Sequence, residues 1–240
     1  KAKRTLLLIT VFVGGMTSLG VELTAARLLD PFFGNSLIIW AVLIGMVLLY
    51  LTVGYYAGGK WADRRPYYRV LYQITAWSAF LIGLVPLIAR PVLLWSVKGF
   101  AQYSAGILAG SLLGVVALFA VPVTLLGCVS PFAIRLSMED KKVQSSGNIA
   151  GGLYALSTVG SLVGTFLPVL VLIPNIGTRS TFLFFAFSLL AVSLAGLLWE
   201  SKARALPYLL MPAALIALVL LFPGGVIKPV QYGSMLHETE

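Results

Sequence analysis

Long unbroken apolar stretches limit what this chain can become. Residues 5–27, 36–58, 69–89, 104–134, 147–173, 179–199 and 205–222 each form an apolar block. Crossing a hydrocarbon core takes about 20 helical residues. Backbone N–H and C=O groups in lipid must be paired within the protein, so such blocks fold as helices. Apolar–polar alternation at period two, the mark of an outer-membrane barrel, is absent. The expected fold is an all-α polytopic membrane protein, a bundle of about seven transmembrane helices within residues 1–222. The fourth block is overlong for one straight span and carries Pro122 and Pro131, which predict a kink and an inner end that leaves the membrane. Segment 90–103, with Arg90, Pro91, Trp95 and Lys98, reads as a short amphipathic piece at the interface.

Composition agrees. Hydrophobic residues make up 59% of the chain and charged residues only 10%, whereas a soluble domain carries roughly a quarter. The formal net charge of +9 would suggest nucleic acid in a soluble protein. Here the basic residues lie mainly between apolar blocks, so they read as topology signals and contacts with anionic headgroups, and no nucleic-acid partner is expected. With the N-terminus inside, the inner segments hold Lys1, Lys3, Arg4, Lys60, Arg64, Arg65, Arg69, Arg135, Lys141, Lys142, Lys202 and Arg204. The outer ones hold Arg27, Arg90, Lys98, Arg179 and Lys228. Twelve against five favours a cytoplasmic N-terminus in a cell inner (plasma) membrane. Seven spans then put the C-terminal side outside.

Candidate functional residues are few. Glu22 is the one acid inside an apolar span. A carboxylate in lipid usually faces protein or water and has a partner. It fits a structural ion pair near the outer interface, with Arg27 and Asp30 nearby, or a cation or amine contact in a cavity. Gly106, Gly110 and Gly114 recur at every fourth position, as do Gly160 and Gly164, accompanied by Ser157 and Ser161. Such spacing makes a flat stripe on which a second helix can approach closely. Pro131 and Arg135, in SPFAIRL, read as the inner close of the fourth helix, with a snorkelling Arg. Cys128 is the single cysteine and His237 the single histidine, so neither a disulfide nor a zinc or haem site is expected within the chain. No G-x-S-x-G and no phosphate-binding glycine loop is present, and the chain carries no visible equipment for covalent chemistry.

Residues 223–240 change character. Pro223-Gly224-Gly225 ends the seventh helix, and VIKPVQYGSMLHETE reads as a linker into a further domain. The chain starts at Lys1 and not at Met, which reads as a processed or trimmed chain or a fragment of something longer.

Several segments carry a resemblance. Gly59-Lys60-Trp61-Ala62-Asp63-Arg64-Arg65 resembles the loop between helices 2 and 3 of the major facilitator superfamily, in which the acid and the basic residues brace a gate. More broadly, VELTAARLLDPFFGNS, GYYAGGKWADRR, GCVSPFAIRL and LYALSTVGSLVGTF, in that order, resemble the membrane region fused to bacterial spermidine synthase-like domains. The matching residues include Glu22, Arg27, Leu28, Leu29, Phe33, Gly34, Asn35 and Ser36, then Asp63 and Arg64, then Gly127, Pro131 and Arg135. Ser157 stands where that pattern usually has Asn. MLHETE is similar to the opening strand of the synthase domain. The resemblance implies a membrane domain that anchors a C-terminal aminopropyltransferase and that has a polyamine-binding or transport role. The co-substrate would be decarboxylated S-adenosylmethionine, handled beyond residue 240, with no cofactor held by this chain. The alternative is a small major-facilitator-like transporter or half-transporter. A purely structural scaffold, with a second copy of the chain as partner, would also suit the glycine stripes. An outer C-terminal side would place a synthase where its nucleoside donor is scarce. The seventh block, with Pro207 and Pro212, is the one whose re-entrant passage would remove that conflict.

Overall fold

A computed structural model describes residues 2–100, 106–139, 146–201 and 205–222. The expected linker and domain entry at 223–240 lie outside the described residues. The described residues form helices and turns, with no strand. The helices are α1 (Ala2–Phe33), α2 (Leu37–Arg64), α3 (Tyr68–Phe100), α4 (Gly106–Gly127), α5 (Val129–Glu139), α6 (Ser146–Leu167), α7 (Ile173–Glu200) and α8 (Leu210–Leu221). A π turn, Pro168–Leu172, joins α6 to α7, and a 3-10 turn, Leu206–Leu209, leads into α8. Among the described residues, five helical runs are long and apolar enough to cross a membrane: Lys3–Phe33, Leu37–Arg64, Tyr68–Gly99, Leu108–Met138 and Ser146–Glu200. Leu206–Leu221 is a shorter apolar helix.

The breaks follow local chemistry. Gly34 leaves α1 at φ 78°, a left-handed conformation that glycine adopts at little cost, and its N–H closes onto Asp30 O at 2.9 Å. Ser36 then caps α2, accepting from Ile39 N at 3.4 Å. This satisfies one of the N–H groups that a helix start leaves unpaired. Between α4 and α5, Pro131 has no N–H to offer Gly127 O, and Cys128 N turns to Leu125 O at 3.1 Å. The expected kink therefore falls at Gly127–Cys128. Pro131 opens α5 and does not close α4, because a proline in a first helical turn forfeits no hydrogen bond. Arg135 accordingly lies midway along α5.

Segment 90–103 corrects an expectation. Through Phe100 it continues α3 without a break. Leu93 and Ser96 are buried against Gly110 and Gly114 of α4, so the stretch is no separate piece: packing holds it helical past Pro91.

The 55-residue run Ser146–Glu200 is broken at Gly177, at φ 77° and ψ 168°. Before the break, Gly164 lies against Met16 of α1. After it, Phe185 lies against Gly20, and Glu200 pairs with Lys3 at 3.2 Å. The chain thus rises beside α1 and returns along it. We call the end where α1 begins proximal and the end where it finishes distal. α8 runs beside α3 in the same direction. Tyr208 is near Gln73 and Leu215 is near Gly83, while Arg179 donates to Val219 O at 3.3 Å and to Phe222 O at 2.6 Å. Arg179 thereby satisfies carbonyls that the end of α8 leaves open.

The core lies among α1, α3, α4 and α7, where Phe119, Phe182 and Phe185 are fully buried and Phe119 stacks on Phe182 with centroids 6.2 Å apart. Large apolar side chains cover the outside of α2, α6 and α8, among them Leu48, Leu162 and Leu220. A water-facing surface rarely carries so much contiguous apolar area; a lipid-facing one does. The bundle is that of a membrane protein.

A Cβ added at Gly177 would meet nothing within 4 Å, so the requirement for glycine there is conformational alone. Gly177→Ala is expected to destabilise the protein by about 1–3 kcal/mol, read as a lower melting temperature in detergent. Gly151→Ala, at an open helical position, should not lower it.

Candidate functional site

Two pairs of helices meet through backbone. Along α2 and the α4–α5 run, a Cβ at Gly54 would strike Thr124 O and come within 2.8 Å of Gly127 Cα. At Gly58 it would come within 2.7 Å of Cys128 Cα, and at Gly59 it would stand 4.0 Å from Pro131 Cβ. One further turn on, Arg135 Nε meets Asp63 Oδ1 at 3.3 Å. The two strips therefore run parallel and in register, from a glycine–glycine contact to an ion pair. Trp61 edges onto Phe132 beside them, with centroids 6.0 Å apart.

The second pair is α1 and α6. A Cβ at Gly160 would overlap Phe12 O, one at Gly164 would overlap Met16 O, and one at Gly15 would overlap Ser157 O. Ser161 Oγ donates to Gly15 O at 3.2 Å across the same seam. The stripe expected on the fifth span thus has α1 as its partner. The stripe on the fourth span meets α3. A Cβ at Gly110 would come within 3.1 Å of Ser96 O and Phe33 Cε1, and one at Gly114 within 2.8 Å of Leu93 Cδ2. Gly106 opens α4, and its surroundings lie outside the described residues. Gly15, Gly54, Gly58 and Gly127 are packing residues that sequence reasoning misses. The Gly54–Gly58 spacing is the available signal.

Hydroxyls tie α3 to α4 and α7. Ser78 Oγ donates to Pro122 O at 2.8 Å, and Ser193 Oγ donates to Thr75 Oγ1 at 2.7 Å. Thr17 Oγ1 and Tyr50 Oη are buried with no hydrogen-bond partner among the described residues.

The structure brings Asp63 and Arg135 together but not the other charged candidates. Arg64 stands exposed in the last turn of α2, where a cation suits the helix dipole. Arg27 is exposed near the distal end of α1. Glu22 is half-buried and makes no ion pair among the described residues. At the register set by Ser161 and Gly15, it falls level with Pro168, where α6 gives way to the π turn.

Three cavities stand out. One of about 380 Å³ at the proximal end is lined by Arg4, Tyr68, Ser137 and Asn148 above Leu7, Leu153 and Leu156. A cleft of about 600 Å³ lies between α3 and α8. A third, of about 380 Å³, lies on the other side of Tyr208 beside Trp61 and Trp77. Glu22 lines none of them. No group of three or more His, Cys, Asp or Glu residues could hold a metal ion among the described residues. The site-like feature with the most extensive geometry is therefore the pair of glycine seams, which hold helices together and offer no reactive group. The chain matches no known family model, no curated protein and no solved structure.

Backbone contact and ion pair differ in worth. The Asp63 and Arg135 side chains are 75% and 37% exposed, and an exposed pair contributes about 0–1 kcal/mol. Overpacking a closed helix seam costs about 1–3 kcal/mol or more. Gly58→Leu and Gly160→Leu are therefore expected to lower thermal stability in detergent clearly, and Asp63→Asn hardly at all. Equal melting temperatures for wild type and Gly160→Leu would contradict the seam.

Proposed function

We propose that this chain is the membrane domain of a spermidine synthase-like protein and that its part is to anchor the synthase domain. The observation that carries the reading is the α2–α4/α5 seam. The residues on which the resemblance rests in GYYAGGKWADRR, among them Gly54, Gly58, Gly59 and Asp63, face GCVSPFAIRL, whose matching residues are Gly127, Pro131 and Arg135, with Cys128 beside them against Gly58. Two motifs far apart in sequence are the two sides of one interface, which gives their residue types a packing reason. LYALSTVGSLVGTF likewise supplies the seam with α1. A transporter would alternate between packings. Seams in which carbonyls already touch glycine Cα atoms suit a rigid anchor better, and the cavities lie toward the periphery and away from Glu22.

In this reading the bundle makes seven passes, the fifth long run counting as two because it reverses at Gly177, and α8 counting as the seventh. The proximal end, with Lys3, Arg4, Lys60, Arg64, Arg65 and Arg69, faces the cytoplasm by the positive-inside rule. The domain following residue 222 then lies on the outer side, and its donor must reach it there.

Cysteine labelling tests the topology. In a Cys128→Ser background, Leu37→Cys at the exposed distal corner should react with an impermeant maleimide on intact cells. Tyr67→Cys at the exposed proximal corner should react only after permeabilisation. The reverse pattern would invert the assignment. Aminopropyl transfer from decarboxylated S-adenosylmethionine to putrescine tests the activity of the full-length native protein, with the donor added to right-side-out or inverted vesicles. Activity in right-side-out vesicles is expected. Activity in inverted vesicles alone would overturn the sidedness, and activity in neither would overturn the synthase reading.

A further inference from the structure

The cleft between α3 and α8 combines an uncompensated cation with an apolar groove. Its cavity of about 600 Å³ lies within the range of about 300–1,000 Å³ typical of small-molecule sites. Arg69 stands at its proximal end, in the first turns of α3. The walls are Trp77 and Phe80 from α3, and Tyr208, Met211 and Ala214 from the α8 side. Trp77 is 47% exposed although it belongs to an otherwise buried stretch of α3, so the groove opens sideways, toward the hydrocarbon.

Arg69 is held in place. With the Gln73 amide oriented to satisfy its neighbours, its oxygen accepts from Arg69 Nε at 3.2 Å, Arg69 Nη2 at 3.3 Å and Tyr208 Oη at 3.0 Å. Gln73, itself held by Tyr208, thus orients the guanidinium without neutralising it, and Arg69 makes no ion pair among the described residues. A guanidinium has five N–H donors, which leaves donors for a planar, bidentate contact with a phosphate. Of the proximal acids whose side chains are described, Asp63 and Glu200 are already paired with Arg135 and Lys3, so a second copy of the chain has neither of these to bring to Arg69. The solvent of such a bundle is lipid, whose phosphates lie at the ends of the spans, and Arg69 stands at the start of α3.

We propose that this cleft is a binding site for an anionic phospholipid. Arg69 takes the headgroup phosphate, and the groove between Trp77, Phe80, Met211 and Ala214 takes an acyl chain. The lipid would brace α8 against α3 through a surface the protein itself leaves open. This inference is independent of whether a synthase domain follows.

Native mass spectrometry on delipidated, full-length protein in detergent tests it, with phosphatidylglycerol and phosphatidylcholine as probes. The wild type should form a one-to-one phosphatidylglycerol adduct at roughly fivefold lower lipid concentration than the phosphatidylcholine adduct, the effect of one basic residue near a headgroup. Arg69→Gln should abolish that preference and Arg69→Lys should keep most of it. Ala214→Phe, which fills the groove, should weaken both adducts. Arg90→Gln, an exposed distal arginine outside the cleft, should change nothing and shows that overall charge is not the cause. If a variant fails to fold, brominated phosphatidylglycerol on wild type keeps the test open, since the bromines should quench Trp77 fluorescence, identified as the emission lost in Trp77→Phe. An unchanged preference in Arg69→Gln, no quenching assigned to Trp77, or a protein dimer that Ala214→Phe abolishes in place of a lipid adduct would each overturn the proposal.

Discussion

Helices in lipid gain little from hiding apolar surface, because the solvent is as apolar as they are. What holds them is close packing and the few polar contacts between them. In this bundle that requirement is met by backbone meeting backbone. Gly160 and Gly164 sit on the carbonyls of Phe12 and Met16, and Gly54 sits on Thr124 and Gly127. At these contacts even one methyl group has no room. The consequence is a fixed register along both seams, from which the placement of α1, α2, α4, α5 and α6 follows. The aromatic core of Phe119, Phe182 and Phe185 then fills the space these seams enclose with α3 and α7.

The polar groups act at the ends of this arrangement. Asp63 and Arg135 close the α2–α5 seam at the proximal rim, and Lys3 with Glu200 ties α1 to α7. Both pairs are partly exposed to solvent, so they add little energy, yet each marks one register among the neighbouring alternatives. Arg179 does a different job at the distal end, satisfying carbonyls of α8 that no helix of its own could satisfy. α8 is otherwise lightly held, and the open cleft beside it is where a lipid would take the place of a neighbouring helix.

Much of this is legible in the sequence because lipid demands a strong signal. An apolar block such as 36–58 or 179–199 can be little other than a helix, and Gly177 falls in the gap between two such blocks. The glycine spacing on α6 declares a packing face. Its partner is not legible, since nothing in GGMTSLG distinguishes a seam with α6 from one with any other helix. The continuation of α3 to Phe100 is hidden because Arg90 and Pro91 resemble an ending, and the tertiary contact with Gly110 and Gly114 that overrides them is made by residues far along the chain. Pro131 reads as a terminator in sequence because a proline's effect depends on whether it stands inside a helix or in its first turn. That distinction is set by the break at Cys128. Glu22 is conspicuous for its charge, but its surroundings depend on the α1–α6 register, which only the fold shows.

The rest of the bundle stands or falls with the register of the α2–α5 seam. A Cβ at Gly59 would lie 4.0 Å from Pro131 Cβ, within the span of about 3.5–4.5 Å that a disulfide requires. The direct measurement is oxidation of a Gly59→Cys, Pro131→Cys protein in a Cys128→Ser background, in native membranes, followed by mass spectrometry of the linked peptides. Near-complete linkage is expected for this pair and little for Gly59→Cys with Ile134→Cys, one turn away. Equal linkage of both pairs, or linkage of the offset pair alone, would contradict the seam and the fold built on it.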